Sequence, residues 1–201
     1  MTTNFGTTGS DFLLGENGDD FLDGGAGDDL VTGGYHDDSL DGGSGDDLVI
    51  GGYHNDSLDG GSGDDLLRGG YHDDSLDGGS GDDFLQGGNH DDLLDGGSGN
   101  DSLEGGVGLD TLIGGDGADK FIFTSLDSVD LITDFNSQQG DQIIFDSATG
   151  VTGVEDLTVH IGASYHHTSE PNKVTSLYVD GARIIEFDGV VSLQVEDFEF
   201  V

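Results

Sequence analysis

Residues 33–50 read GGYHDDSLDGGSGDDLVI, and this stretch returns almost unchanged at residues 51–68, 69–86 and 87–104. Each copy divides into two halves of nine residues, with histidine at the fourth position of the first half and glycine at the fourth position of the second. A short and regular period of this kind predicts a stack of identical structural units. The alternation indicates that successive halves occupy two different sides of that stack.

The nine-residue phase runs from Gly6 to Ile122 in thirteen units with the consensus G-G-x-G-x-D-x-U-x, where U is apolar. The pattern resembles the RTX nonapeptide repeat family. The resemblance implies an all-β fold, namely a right-handed parallel β-roll with two nonapeptides per coil, and it implies bound calcium. Every unit has aspartate at position six: Asp11, Asp20, Asp29, Asp38, Asp47, Asp56, Asp65, Asp74, Asp83, Asp92, Asp101, Asp110 and Asp119.

The residue types within one unit support this fold independently. The x-U-x segment is a short strand with one side chain directed inward, and the glycine-rich hexapeptide before it permits positive φ and a tight reversal. Two units close a coil, so each unit stacks on the unit two places away, at a spacing of about 4.8 Å. Ordering nine residues costs on the order of 9 to 18 kcal/mol, whereas burying one Leu or Val contributes about 2 to 3 kcal/mol. The apolar core alone therefore cannot hold the coil.

Stacking also brings the position-six carboxylates together, where two like charges repel by about 1 kcal/mol in water and by more near a protein surface. The carbonyls of positions two and four should converge with the position-six carboxylate, and two stacked loops then supply about six oxygen ligands, which suits Ca²⁺. The seven aspartates of one edge leave six gaps and the six of the other leave five, so up to about eleven ions are expected. The predicted carbonyl ligands are Gly25, Gly27, Gly43, Gly45, Gly61, Gly63, Gly79, Gly81, Gly97 and Gly99 on one edge, and Gly34, His36, Gly52, His54, Gly70, His72, Gly88 and His90 on the other.

The histidine units all fall on one edge of an eighteen-residue coil. His36, His54, His72 and His90 are expected to form a column, with Tyr35, Tyr53, Tyr71 and Asn89 beside it. In one interpretation the rings stack on their copies while each histidine keeps its carbonyl in the loop. In the other, the column binds a surface, a glycan or a transition metal. Because histidine replaces the family's glycine, calcium affinity is expected to be lower on this edge.

The outward strand positions differ between the two sheets. One sheet should expose an apolar row of Phe12, Leu30, Leu48, Leu66 and Phe84, whereas the other carries Ser39, Ser57 and Ser75 with Asp23, Asp41, Asp59, Asp77 and Asp95. Monomeric proteins rarely leave such a row uncovered. The row therefore predicts calcium-dependent self-association, with cover by the C-terminal segment as the alternative.

Residue 122 is the predicted boundary between the roll (1–122) and a C-terminal β cap (123–201). The cap resembles the segment that closes the roll in RTX proteins, and its terminal VEDFEFV is similar to the signals of type I secretion substrates. Asp180-Gly181 predicts a hairpin turn and Asp188-Gly189 a second reversal. His160, His166, His167 and Glu170 surround the loop SYHHTSEPN, where solvated side chains are a simpler interpretation than a metal site.

The charge balance restricts the function. Forty-three acidic against four basic side chains give a net charge of -39, which excludes nucleic acid and anionic membranes as direct partners. The chain shows no Sec-type signal, membrane span, cysteine or catalytic motif. The sequence therefore predicts a non-enzymatic calcium-binding protein, secreted to the medium or cell surface by type I machinery without a signal peptide. Calcium should drive its folding, and a homo-oligomer or extracellular assembly is expected. The alternative is an accessory carbohydrate-binding or secretion module of a polysaccharide-acting enzyme.

Overall fold

The computed structural model describes residues 2–126, 128–153, 156–164, 172–179, 181–188 and 193–201, and these contain β-strands and short 3₁₀ turns but no α-helix. The 3₁₀ turns include Ser147–Thr149 and Val195–Asp197. The strands are β1 (Thr3–Phe5), β2 (Phe12–Leu14), β3 (Phe21–Asp23), β4 (Leu30–Tyr35), β5 (Ser39–Ser44), β6 (Leu48–Tyr53), β7 (Ser57–Ser62), β8 (Leu66–Tyr71), β9 (Ser75–Asp77), β10 (Phe84–Asn89), β11 (Leu93–Asp95), β12 (Ser102–Val107), β13 (Thr111–Ile113), β14 (Lys120–Phe123), β15 (Asp130–Ile132), β16 (Gln142–Phe145), β17 (Leu157–Ser164), β18 (Asn172–Val179), β19 (Ala182–Asp188) and β20 (Phe198–Phe200).

The strands form two sheets that together make a parallel β-roll. Sheet A has eleven strands in the order β1-β3-β5-β7-β9-β11-β13-β15-β19-β18-β17, and sheet B has nine in the order β2-β4-β6-β8-β10-β12-β14-β16-β20. Within the repeats, paired residues lie eighteen positions apart, as for Leu48 with Leu66. The parallel roll predicted from the nine-residue period is confirmed, with two units per coil.

Position eight supplies the core of the roll. Its side chains alternate between the two sheets and are at most 2 % exposed in every unit, from Leu13 to Phe121. Burying each such side chain stabilises the fold by about 1.5 to 3 kcal/mol, which is less than the entropy lost by its nine residues. The apolar interior therefore does not stabilise the roll by itself, and further stabilisation must come from the loops.

Parallel pairing continues beyond Ile122, where the nine-residue phase ends. Leu131 of β15 pairs with Thr111, and Gln142 of β16 pairs with Lys120, at spacings of 20 and 22 residues. The chain thus makes another coil on a longer period. The division into two domains at residue 122 stays a prediction.

The remaining C-terminal strands close the far end of both sheets. β17, β18 and β19 form an antiparallel extension of sheet A, and β20 pairs with β16 in sheet B. The predicted hairpin at Asp180-Gly181 is confirmed by the pairing of β18 with β19, and Gly181 has a φ of 81°. The second predicted reversal, at Asp188-Gly189, runs into residues 189–192, outside the described part of the chain. His166, His167 and Glu170 also lie outside it, while His160 belongs to β17.

The N-terminus adds one strand that the repeat pattern does not reveal. Thr3–Phe5 precedes the first unit and pairs in parallel with β3. Its sequence, TNF, carries no glycine-rich signature, and only the proximity of the first coil selects it as a strand. Sheet A therefore has one strand before the first repeat unit, which begins at Gly6.

Candidate metal centre

The position-six aspartates form one column on each edge of the roll, as the period predicts. In each pair of stacked loops, the backbone N–H of one aspartate donates to Oδ1 of the aspartate in the following coil, with distances of 2.6 to 3.1 Å. For example, Asp47 donates to Asp65 at 2.7 Å. Each carboxylate therefore ties two coils together through one of its oxygens.

The second oxygen of these carboxylates has no such partner. Oδ2 is buried without a hydrogen bond in eleven aspartates: Asp29, Asp38, Asp47, Asp56, Asp65, Asp74, Asp83, Asp92, Asp101, Asp110 and Asp119. A buried carboxylate oxygen left unpaired is costly, and it is found where an ion or a proton completes the site. The roll contains such an atom in every unit from the third to the thirteenth.

Position-one glycine makes room for this oxygen. A Cβ added to Gly42 would come within 2.7 Å of Asp47 Oδ2, and one added to Gly60 would come equally close to Asp65 Oδ2. Any larger residue would push the carboxylate out of the loop. The first glycine of the consensus is therefore required by the carboxylate and not by its own φ, which is not positive.

Backbone carbonyls border the same gaps between loops. A Cβ on Gly43 would meet the position-two carbonyl of Gly25 at 2.3 Å, and a Cβ on Gly45 would meet the position-four carbonyl of Gly27 at 2.4 Å. Both carbonyls therefore point along the stacking axis toward the next coil. The position-two carbonyl also accepts a ladder hydrogen bond, as Gly25 does from Ser44 at 3.0 Å. Carbonyl oxygens of this kind, together with carboxylate oxygens, are the ligands that Ca²⁺ prefers.

Side chains alone do not build this site. Within the described residues, no three His, Asp or Glu side chains cluster in a way that would hold a metal ion. Main-chain carbonyls would therefore have to provide part of the ligand set. The residues present fit a calcium ion bound jointly by carboxylate and main-chain oxygens.

Burial perturbs these carboxyl groups strongly. It raises the pKa of Asp56 and Asp92 to about 8 and that of Asp74 and Asp83 to about 7, and the hydrogen bond from the preceding coil offsets only part of the rise. Neighbouring carboxylates raise the pKa of Asp56 further. The ladder therefore holds negative charge poorly unless a cation or proton joins it.

The first two loops differ from the others at position two, where Thr7 and Glu16 do not adopt the positive φ that glycine has in the later loops, such as Gly25 and Gly34. The N–H of Thr7 donates to Asp11 Oδ2 at 2.6 Å, and the N–H of Glu16 donates to Asp20 Oδ2 at 2.8 Å. Burial raises the pKa of Asp20, but the N–H groups of Glu16 and Thr2 outweigh it, so that this pKa lies below its usual value. The first loop of each edge is thus closed by its own backbone.

Two ladder residues were not predicted from the sequence, because they lie outside the nonapeptide repeat. Asp130 Oδ1 accepts from Asp110 N–H, and Asp141 Oδ1 accepts from Asp119 N–H, both at 3.1 Å. Both are buried, and burial raises their pKa values to about 7 and about 6. The signal that would have revealed them is an aspartate directly before an apolar strand, in VDLI and GDQIIF.

Position five contributes a further set of carboxylates that the sequence analysis did not single out. Asp46 accepts from the N–H of Asp64, and Asp64 accepts from that of Asp82, at 3.0 and 2.9 Å. These bonds run in the opposite direction to those of position six. Adjacent coils are therefore linked in both directions along each edge.

The histidine column forms on one edge as predicted. Neighbouring imidazole rings stack with centroids 5.1 to 5.3 Å apart and planes within 6° of parallel. Tyr35, Tyr53 and Tyr71 stack beside them at 4.9 to 5.1 Å. The arrangement agrees with the stacking interpretation, while binding of a glycan, surface or transition metal by the column stays a hypothesis.

Histidine at position four adopts the left-handed conformation that the loop requires. Its φ is 79° to 82°, whereas the glycines at this position from the second unit onward have φ of 113° to 152°, a range that suits glycine. The His90 carbonyl still points toward the next coil, because a Cβ on Gly108 would come within 1.9 Å of it. The lower calcium affinity expected for this edge remains a prediction.

Stacked loops with buried carboxylate oxygens that lack hydrogen bonds, and with carbonyls that point toward the next coil, define a calcium-binding β-roll. A family profile described as the RTX calcium-binding nonapeptide repeat matches in four copies, at residues 5–35, 32–67, 68–103 and 95–123. The chain belongs to this family, as the sequence resemblance indicated. Calcium binding is the property for which this family of repeats is named.

Other comparisons add little. A search of curated proteins finds no match. Among solved structures, the chain is similar to the crystal structure of the extracellular lipase LipA from Serratia marcescens, with 20% sequence identity and a TM-score of 0.31. The similarity covers 99% of this chain and 40% of the lipase chain, so the chain spans less than half of that protein. Separately, no helix in the described residues is long and apolar enough to cross a membrane.

Proposed function

We propose that the protein is an exported calcium-binding β-roll that folds when it meets calcium outside the cell and then serves a structural role at the cell surface or in the extracellular matrix. The observation that carries the proposal is the set of eleven buried Oδ2 atoms without a hydrogen bond. Without a cation these oxygens oppose folding, and with one they connect the coils. Metal binding and folding are then one event.

The proposed ligands of each ion are the position-six carboxylate with the carbonyls of positions two and four from adjacent loops. The interior aspartates from Asp29 to Asp119 form the main set, and Asp130 and Asp141 complete the last gap on each edge. The proposal assigns no catalytic role to the chain.

The test is a calcium titration of chelated protein followed by far-UV circular dichroism. The parent should be largely unfolded in chelator and become β-rich with calcium. Asp65→Asn, in the middle of the ladder, should raise the calcium midpoint at least several-fold, whereas Glu199→Gln, an exposed residue of β20, should not. At pH 8, where the ladder carboxyl groups are largely ionised, a β spectrum that is unchanged in excess chelator contradicts the proposal.

Export is proposed to use type I machinery that reads the C-terminal segment. The support is the acidic and apolar ending VEDFEFV, part of which forms β20. Deleting residues 195–201 should retain the protein inside a cell that carries such a transporter, while calcium-induced folding of the purified chain persists. Export of the deleted form at the parental level would place the signal elsewhere.

A second candidate role, glycan binding, has one supporting observation. A groove of about 460 Å³ runs over the glycines of sheet B and is lined by Arg68, Gln86, Asn89, Glu104 and Thr124, among others. Such amide, guanidinium and carboxylate groups suit sugar hydroxyls. Isothermal titration with soluble neutral glycans tests this role, and the absence of heat at millimolar ligand contradicts it.

A further inference from the structure

The strands of sheet B carry almost no net charge, whereas the rest of the molecule is strongly acidic. The strands β2, β4, β6, β8, β10, β12 and β14 contain only three charged residues, Arg68, Glu104 and Lys120, which sum to +1. The facing strands β3, β5, β7, β9, β11 and β13 contain five aspartates and no base, which sum to -5. Two of the four basic residues of a chain with charge -39 thus lie on this one sheet.

The same surface carries the apolar row that the sequence predicts. The register pairs Phe12 with Leu30, Leu30 with Leu48, Leu48 with Leu66, and Leu66 with Phe84, so the five side chains are direct neighbours. Phe12 is 65 % exposed, whereas the other four are only partly exposed. The tyrosine column of Tyr35, Tyr53 and Tyr71 borders the row at the end of the same strands, and these rings are about half exposed.

The described C-terminal strands do not cover this surface. β16 and β20 extend sheet B at its far edge, and β17 to β19 extend sheet A, so these strands lengthen the roll. Cover by the C-terminal segment, the alternative stated for the row, is thus not provided by any described strand.

We propose that the outer face of sheet B is the interface of a homodimer, in which it packs against the same face of a second copy. The inference rests on the proposed function, because the sheet exists only in the folded roll. Both edges carry aspartate columns and the strands of sheet A carry five more acids, so of the two sheets the outer face of sheet B brings the fewest acids together when two copies meet. A face that packs on its own copy gives a closed, two-fold assembly.

The available area is adequate for a specific dimer. Five of the seven strands have six residues and are about 20 Å long, whereas β2 and β14 have three and four, so at a spacing of about 4.8 Å they present roughly 590 Å² per molecule, or about 1,200 Å² in total. Specific interfaces bury about 1,200 to 2,000 Å².

The test compares the association of three proteins in millimolar calcium by sedimentation velocity, with circular dichroism recorded on the same samples. The parent should dimerise, and the double variant Leu48→Ser with Leu66→Ser should associate at least tenfold more weakly. Serine at position seven is compatible with the roll, since Ser39, Ser57 and Ser75 occupy it in sheet A. The control is Phe21→Ser with Leu93→Ser, which removes exposed apolar groups from sheet A and should dimerise as the parent does.

The outcomes separate this inference from the proposed function. If all three proteins gain β structure with calcium but the parent stays monomeric, or the sheet B variant dimerises normally, the inference is overturned and the calcium function stands. If the parent is monomeric and binds a neutral glycan that the sheet B variant does not bind, the face is a glycan site instead. A β spectrum already present in chelator at pH 8 contradicts the proposed function. The association of the three proteins is then compared in that calcium-free folded state.

Discussion

At the scale of single residues, each position of the nonapeptide has one physical task. Glycine at position one leaves space for a carboxylate, and aspartate at position six joins two coils through Oδ1 while its Oδ2 faces the gap. Position four needs a positive φ, which histidine meets at about 80°. The alternation of histidine and glycine is thus compatible with one backbone path, and it makes the two edges chemically different.

The first prediction concerns position four. Changing His54 and His72 together to glycine should raise calcium affinity or leave it unchanged, because glycine reaches the larger φ values found on the other edge without strain. A calcium titration by circular dichroism measures the midpoint. A clear loss of affinity would mean that the stacked imidazoles hold the loop or the ion. The matched variant His54→Ala with His72→Ala should bind more weakly than the glycine pair, because alanine is disfavoured at positive φ.

At the scale of elements, the roll is a one-dimensional stack whose two ends differ from its middle. The first loop on each edge satisfies its aspartate with backbone N–H groups of Thr7 and Glu16. At the other end, β15 and β16 supply Asp130 and Asp141 after the repeat has ended. Repeat proteins need such modified terminal units, since each repeat contacts only its neighbours.

The second prediction compares an interior aspartate with the first aspartate of the same edge. Asp56→Asn should lower the number of calcium ions bound and weaken folding, because Asp56 Oδ2 is buried without a hydrogen-bond partner. Asp20→Asn should leave the bound calcium unchanged, because Asp20 Oδ2 already accepts from Glu16. Equilibrium dialysis with metal analysis gives the stoichiometry. Equal losses in both variants would show that the end loop binds calcium as the interior does.

At the scale of the whole molecule, the ladder concentrates acid that the fold tolerates only when it is neutralised. Burial raises the pKa of Asp38, Asp47 and Asp65 to about 6, and that of Asp56 and Asp92 to about 8. The folded, metal-free roll therefore binds more protons than the unfolded chain at any pH between the ordinary value of 3.8 and these raised values. Its stability falls as pH rises through this window.

The third prediction is that acid replaces calcium. In chelator, the β spectrum should be strongest near pH 4 and should weaken as pH rises from about 6 to about 8, where the raised pKa values lie. Circular dichroism at low protein concentration follows the change, and calcium added at pH 8 should restore the signal. A metal-free spectrum that gains β structure as pH rises would have the wrong sign for a ladder of buried carboxyl groups.

The repeat, the roll and the two columns of aspartate follow from the amino-acid sequence, because a strict period forces identical contacts at every coil. The sequence also predicted the stacked histidines and the hairpin at Gly181, which depend on that period and on local turn chemistry. It did not reveal β1, Asp130 or Asp141, whose positions follow from pairing with an already formed coil at spacings that no repeat marks. Which carboxylate oxygens lack a partner depends on the folded path of the loops, since it is this path that brings the N–H groups of Thr7 and Glu16 to their aspartates.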